Sequence, residues 1–188
     1  MAVNIAFRVE APAWRGELPK AGPLVRRAAR AALAAAEQAD GIVPAGDLCV
    51  VLADDELQRQ LNRDYRGRDK PTNVLSFDGA PAALGDVVLA LETVAAEAQQ
   101  QGKALADHVA HLVVHGVLHL MGYDHEKRSE ASRMERLEIE ILDRLGVANP
   151  YVLTAAHPRR HPRRPAPAPR AQARPARSRP RQSKARHR

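Results

Sequence analysis

The feature that most limits what this chain can fold into is an abrupt loss of apolar side chains near its C-terminus. From His157 to Arg188 there is no Leu, Ile, Val, Phe, Tyr or Trp, and seven of the chain's 14 prolines lie there. Such a segment cannot bury enough apolar surface to offset the entropy of ordering, so it reads as disordered. Folding is therefore confined to what precedes it, and we divide the chain into a folded domain, 1–152, and a basic Arg/Pro/Ala-rich tail, 153–188. Charge follows the same division: 12 of the 29 Lys and Arg residues, and none of the 22 Asp and Glu residues, fall in 157–188. The remaining 17 basic and 22 acidic residues leave the body near −5 and the tail near +12. The tail is at most a solvated, phosphate-seeking arm.

Cys49 is the only cysteine, which excludes an intramolecular disulfide and a thiolate metal cluster and points to a reduced, cytoplasmic setting. It sits in the apolar run Leu48–Leu52, where it reads as core filler. Met1 to Glu10 lacks the basic and apolar regions of a signal peptide, and no apolar stretch reaches the roughly 18 residues of a membrane span. A soluble protein with no membrane partner is expected.

Val3, Ile5, Phe7 and Val9 alternate as a half-buried strand does. Pro23–Gln38 carries Leu24, Ala28, Ala31, Ala32 and Ala35 at helical spacing, with Gly41 as a stop. Asp47–Leu52 reads as a buried strand, and Asp54 and Asp55 as caps for a helix through Leu57, Leu61 and Tyr65. A polar loop, Gly67–Pro71, separates this helix from two strands, Thr72–Phe77 and Gly85–Leu91. Three helices complete the domain: Glu92–Gln101, an apolar Leu105–Met121, and one capped by Ser129 and ending at Gly146. The order β, α, β, α, β, β, α, α, α predicts an α+β (mixed α/β) fold, with one sheet flanked by helices.

Five of the eight histidines fall between His108 and His125. His115 and His119, four apart on a helix, share one face about 6 Å apart along its axis. Gly122 can take the left-handed conformation that ends a helix, returning His125 toward the same point. Three neutral imidazoles leave the fourth position of a tetrahedral zinc open, the arrangement of a catalytic site. One zinc ion per chain, on His115, His119 and His125, is therefore expected. His111 extends the stripe but lies about 12 Å from His119, too far to share an ion. It is expected to support the ligands or to pack beside them rather than to bind, and Asp124 reads either as a group orienting an imidazole or as a polar turn residue. The H-x3-H-x5-H spacing is also that of metzincin proteases, whose general base follows the first histidine; here that residue is Gly116, so hydrolysis of a peptide or amide bond is the secondary reading.

The string from His115 through Gly116, His119 and Gly122 to Asp124 and His125 resembles the signature of the bacterial YbeY endoribonucleases, the rRNA maturation factors. Tyr65-Arg66-Gly67, Asp69, Pro71 and Thr72 to Phe77 match a second family block, and Gly85-Asp86 a third. The resemblance covers roughly residues 1–150 and leaves the tail aside. It implies a single-strand-specific, metal-dependent endoribonuclease acting in 16S rRNA 3′-end maturation and ribosome quality control, on a sheet flanked by helices. It also implies that His115, His119 and His125 hold the metal and that Arg66 is the family's required arginine. The expected partners are single-stranded rRNA, the small ribosomal subunit and assembly factors, and DNA is not expected.

Phosphodiester cleavage needs an activated nucleophile and neutralisation of the charge growing on the phosphate, for which Arg66 offers a planar fork that is always charged. Asn73 and Ser76 are candidates for hydrogen bonds to RNA, although their segment reads equally well as a strand facing a neighbour. Aromatic residues make up 3% of the chain, which leaves little for base stacking. Substrate choice would then come from docking on the ribosome. A third reading is a non-catalytic ribosome-assembly binder, with structural metal and affinity carried by the tail.

Overall fold

In the computed structural model the chain separates into Met1–His157 and Pro158–Arg188. The structure describes residues 3–44, 46–80, 83–124 and 128–152, all within the first unit. The tail expected at 153–188 and the third expected ligand, His125, lie outside the described residues.

The elements follow the expected order with one addition. Strand β1 (Ile5–Val9) leads through a short helix α1 (Trp14–Glu17) into α2 (Ala21–Asp40). Then come β2 (Asp47–Ala53), α3 (Asp55–Arg66), β3 (Val74–Asp78) and β4 (Ala83–Ala90). Helices α4 (Leu91–Gln100), α5 (Leu105–Leu120) and α6 (Arg128–Leu145) complete the unit. The unexpected α1 is too short to show a period; it is held by Trp14, which is buried and donates its indole N–H to the Ala53 carbonyl at 2.8 Å.

Asp54 caps α3, accepting the Leu57 N–H at 2.9 Å, and Gly41 ends α2 with φ +67°. Helix α2 starts at Ala21, ahead of the expected Pro23, because a proline in the first turn lacks only an N–H that has no helical partner. Helix α6 already includes Arg128, so Ser129 is a helical residue and not the expected cap.

The four strands form one sheet in the order β1-β2-β4-β3. Strands β1, β2 and β4 run parallel, and β3 pairs antiparallel along β4 as an edge. Leu48, Val50, Leu52, Val87 and Leu89 are buried, as an inner parallel pair covered by helices requires. Cys49, expected as core filler, alternates to the other side of β2 and is only half-buried.

Helices cover both faces. Gly116 of α5 faces Val87 and Ser76, whereas Tyr65 of α3 stands edge-on to Phe77, which points the opposite way from Ser76 along β3. The buried alanines Ala28, Ala29, Ala32, Ala35 and Ala36 give α2 a smooth face, and α2 packs along α5. Helix α5 is buried on most of its surface, as its apolar sequence predicts, and its last turn emerges beside the edge strand β3. Among the described residues, no helix is long and apolar enough to cross a membrane.

Candidate metal centre

The half-buried C-terminal end of α5 carries the site. His115 and His119 turn toward each other, with their Nε2 atoms 3.1 Å apart. The Nδ1 of His115 meets Oε1 of Glu138 at 2.7 Å. An ionised carboxylate only accepts, so this contact keeps the His115 proton on Nδ1 and leaves the Nε2 lone pair facing His119. Two imidazole nitrogens at that spacing fit one ion with metal to nitrogen bonds of about 2.1 Å. Helix α5 then ends as expected: Gly122 adopts φ +86°, and the Tyr123 N–H returns to the Leu118 carbonyl at 3.0 Å. The Tyr123 hydroxyl donates to Asp40 at the end of α2, which anchors the turn leading toward His125.

Glu138 did not emerge from the sequence as a site residue. It is 0% exposed, in the middle of the α6 face formed by Met134, Ile141 and Leu142. A lone carboxylate on that apolar stripe was the signal that could have found it, because buried charges are rare unless paired. Burial pushes its carboxyl up, but the neighbouring His111 ring, the hydrogen bond and charge of His115 and the Tyr151 hydroxyl outweigh it and hold the pKa at about 2. The carboxylate is therefore ionised at any working pH. Tyr151 donates to its second oxygen, and burial and that carboxylate push the Tyr151 phenol above its ordinary range.

His111 lies on the far side of His115, with Nε2 at 3.7 Å from Glu138 Oε2 and its ring edge-on to both His115 and Tyr151. His111, His115 and Glu138 form a metal-competent group among the described residues, with donor atoms within 4.8 Å of one another. Both oxygens of Glu138 are engaged by side chains in this arrangement.

The other expected residues converge from the sheet side. A cleft of about 570 Å³ is lined by His115 and His119 on α5, by Asp124 beyond it, and by Arg66, Asn73 and Ser76 opposite. Arg66 is the last residue of α3, where Gly67 takes φ +67° and ends the helix. One guanidinium nitrogen donates to the Ser76 carbonyl on the sheet edge at 3.1 Å, which leaves the rest of the fork for an anion. Ser76 and Asn73 are already engaged: the Ser76 hydroxyl donates to the Gly116 carbonyl at 3.1 Å, and the Asn73 amide donates to Glu97 at 3.0 Å. His111 does not line this cleft.

Gly116 explains why a protease's base is missing. A Cβ there would stand 2.7 Å from Val87 Cγ1 and 3.0 Å from Ser76 Oγ, so helix and sheet meet where metzincins carry their Glu. No side chain at 116 can reach into the cleft, which argues against the peptide-hydrolase reading.

The chain matches the family model described as Endoribonuclease YbeY over residues 19–146. The Endoribonuclease YbeY of Paramagnetospirillum magneticum is 51% identical over 162 residues, covering 80% of this chain and 97% of that protein. That of Rhodospirillum rubrum is 51% identical over 152 residues, covering 73% of this chain and 76% of that protein. A Thermotoga maritima protein solved in solution shares the fold, with a TM-score of 0.51 at 22% identity, over 76% of this chain and 91% of that one. With the site in place and the match running through every block that builds it, the chain belongs to the YbeY family of endoribonucleases.

Proposed function

We propose that this member of the family cleaves single-stranded RNA with one zinc ion held by His115, His119 and His125, and that its substrate is rRNA at the 3′ end of 16S. The observation that carries the reading is the pair of imidazole nitrogens 3.1 Å apart, facing Arg66 across one cleft.

When bound, zinc supplies a Lewis acid for a phosphate oxygen and an activated water near neutral pH. The chain's own residues do the rest. Glu138 fixes the His115 tautomer, and Tyr151 holds the second oxygen of Glu138. Arg66, pinned by the Ser76 carbonyl, presents its free N–H groups to the phosphate and neutralises the charge that grows there. Asn73 and Ser76 hold the cleft wall in register through Glu97 and Gly116, and Asp124 stands at the ligand turn. The partners proposed are the small ribosomal subunit and its assembly factors, with the tail at 153–188 adding salt-sensitive affinity for phosphate.

The test is cleavage of single-stranded rRNA by the purified chain beside His115→Ala and Arg66→Lys, with metal content determined for each. His115→Ala is expected to lose metal and activity together. Arg66→Lys is expected to keep its metal and lose at least tenfold in rate, because an ammonium cannot replace a two-pronged donor. Cleavage that persists in metal-free His115→Ala would refute the assignment.

A further inference from the structure

The loop between α3 and β3 frames a second cleft, about 500 Å³, that shares Arg66 and Asn73 with the first and continues past Arg68 and Lys70. Its cations are placed by buried groups. Asn62, only 3% exposed, donates its side-chain N–H to the Lys70 carbonyl at 2.7 Å, while its own carbonyl accepts the Arg68 N–H at 3.2 Å. With Gly67 left-handed, the backbone carrying both cations is held at three points.

The carboxylates nearby are already taken. Asp69, between the two cations, receives Arg59 Nε and a second guanidinium nitrogen at 2.7 and 2.9 Å. That bond holds its carboxyl below the usual range. Glu97, which lines the cleft, meets His108 Nε2 at 2.8 Å and accepts from Asn73. Among the described residues, Arg68 and Lys70 face no carboxylate partner. The result is a trough with two cations on a fixed backbone and quenched anions, sharing Arg66, Asn73, Val74 and Leu75 with the cleft that holds the histidines.

We propose that this second cleft binds the backbone phosphates of single-stranded RNA flanking the scissile one, with Arg68 and Lys70 as the phosphate contacts. The inference rests on the nuclease reading of the first cleft and extends it from one phosphate to a strand path. Contacts of this kind carry no base information; they set the register and the direction of the strand.

The experiment uses the full chain with its metal, and labelled single-stranded RNA as a trinucleotide and as a long oligomer. Binding is followed by anisotropy over a salt series and cleavage by single turnover, for the wild type and for Arg68→Gln/Lys70→Gln. Both side chains are exposed, so the variant should melt as the wild type does. Expected is a roughly tenfold or larger weakening on the long RNA, a clearly smaller one on the trinucleotide, and a log–log salt slope shallower by about 1.4, since each phosphate contact on a single strand contributes about 0.7. Equal losses on both RNAs, or an unchanged slope, would overturn the subsite. A wild type that binds the long RNA with this slope and fails to cleave it would instead overturn the nuclease reading and leave the strand path standing.

Discussion

Glu138 of α6 accepts the Nδ1 proton of His115 of α5 at 2.7 Å, from a position with no exposure to solvent. The contact joins two helices and decides which nitrogen of a proposed ligand carries its lone pair into the cleft. Its consequence is that metal affinity depends on a residue that does not face the cleft.

Glu138→Gln keeps the size of the side chain and removes its charge, and an amide can accept from His115 through one atom only. Metal affinity is expected to fall by about 10- to 100-fold, the range found when a ligand's outer partner is removed. Competition titration with a chromophoric chelator measures this, while RNA affinity in the absence of added metal reports the cleft separately. Unchanged metal affinity would show that the His115 tautomer is set without Glu138.

Gly116→Ala tests the contact between α5 and the sheet. Alanine in a helix gains about 1 kcal/mol over glycine. Against this, the new methyl lies 2.7 Å from Val87 Cγ1, a stiff, fully buried side chain that cannot swing away. Overpacking of this kind costs about 1–3 kcal/mol. We expect a lower urea midpoint, together with weaker metal binding as α5 is pushed off β3. A more stable variant would mean that the helix can move without loss.

His108 predicts a pH dependence of stability. Burial pulls its pKa below the usual histidine value, and the Glu97 carboxylate at 2.8 Å offsets only part of that. Above about pH 6.5 the residue is neutral in both folded and unfolded chains, and its contribution to stability is fully present. As pH falls through that value the unfolded chain takes up a proton that the folded chain resists, so stability declines toward the lower folded pKa. Urea midpoints at neutral and mildly acidic pH should diverge less in His108→Gln than in wild type. Parallel curves would assign the acid lability to other groups.

Much of the site was legible before the fold was known, because local chemistry carries it. A four-residue histidine spacing on a helix and a glycine after it specify one face and one turn whatever surrounds them, and the structure places His115, His119 and Gly122 accordingly. Strand periodicity, the Asp54 cap and the Gly41 stop are equally local, which is why element order came out right with only the one-turn α1 missing.

What depended on contacts distant in the chain was not legible. From the sequence alone Asn73 and Ser76 fit RNA contacts and strand residues facing a neighbour equally well, and only the packed sheet ties them to Glu97 and to the Gly116 carbonyl. Glu138 acquires its meaning from Tyr151 and two histidines of another helix, and no spacing along the chain encodes that. The sequence by itself determined the order of the main elements, the helix that bears the histidines and the cation at the end of α3. Only the tertiary structure decided which nitrogen faces the cleft, that Gly116 excludes a side chain, and that Arg68 and Lys70 border a trough. Those depend on distances between elements, and such distances are set when the elements bury their apolar faces together.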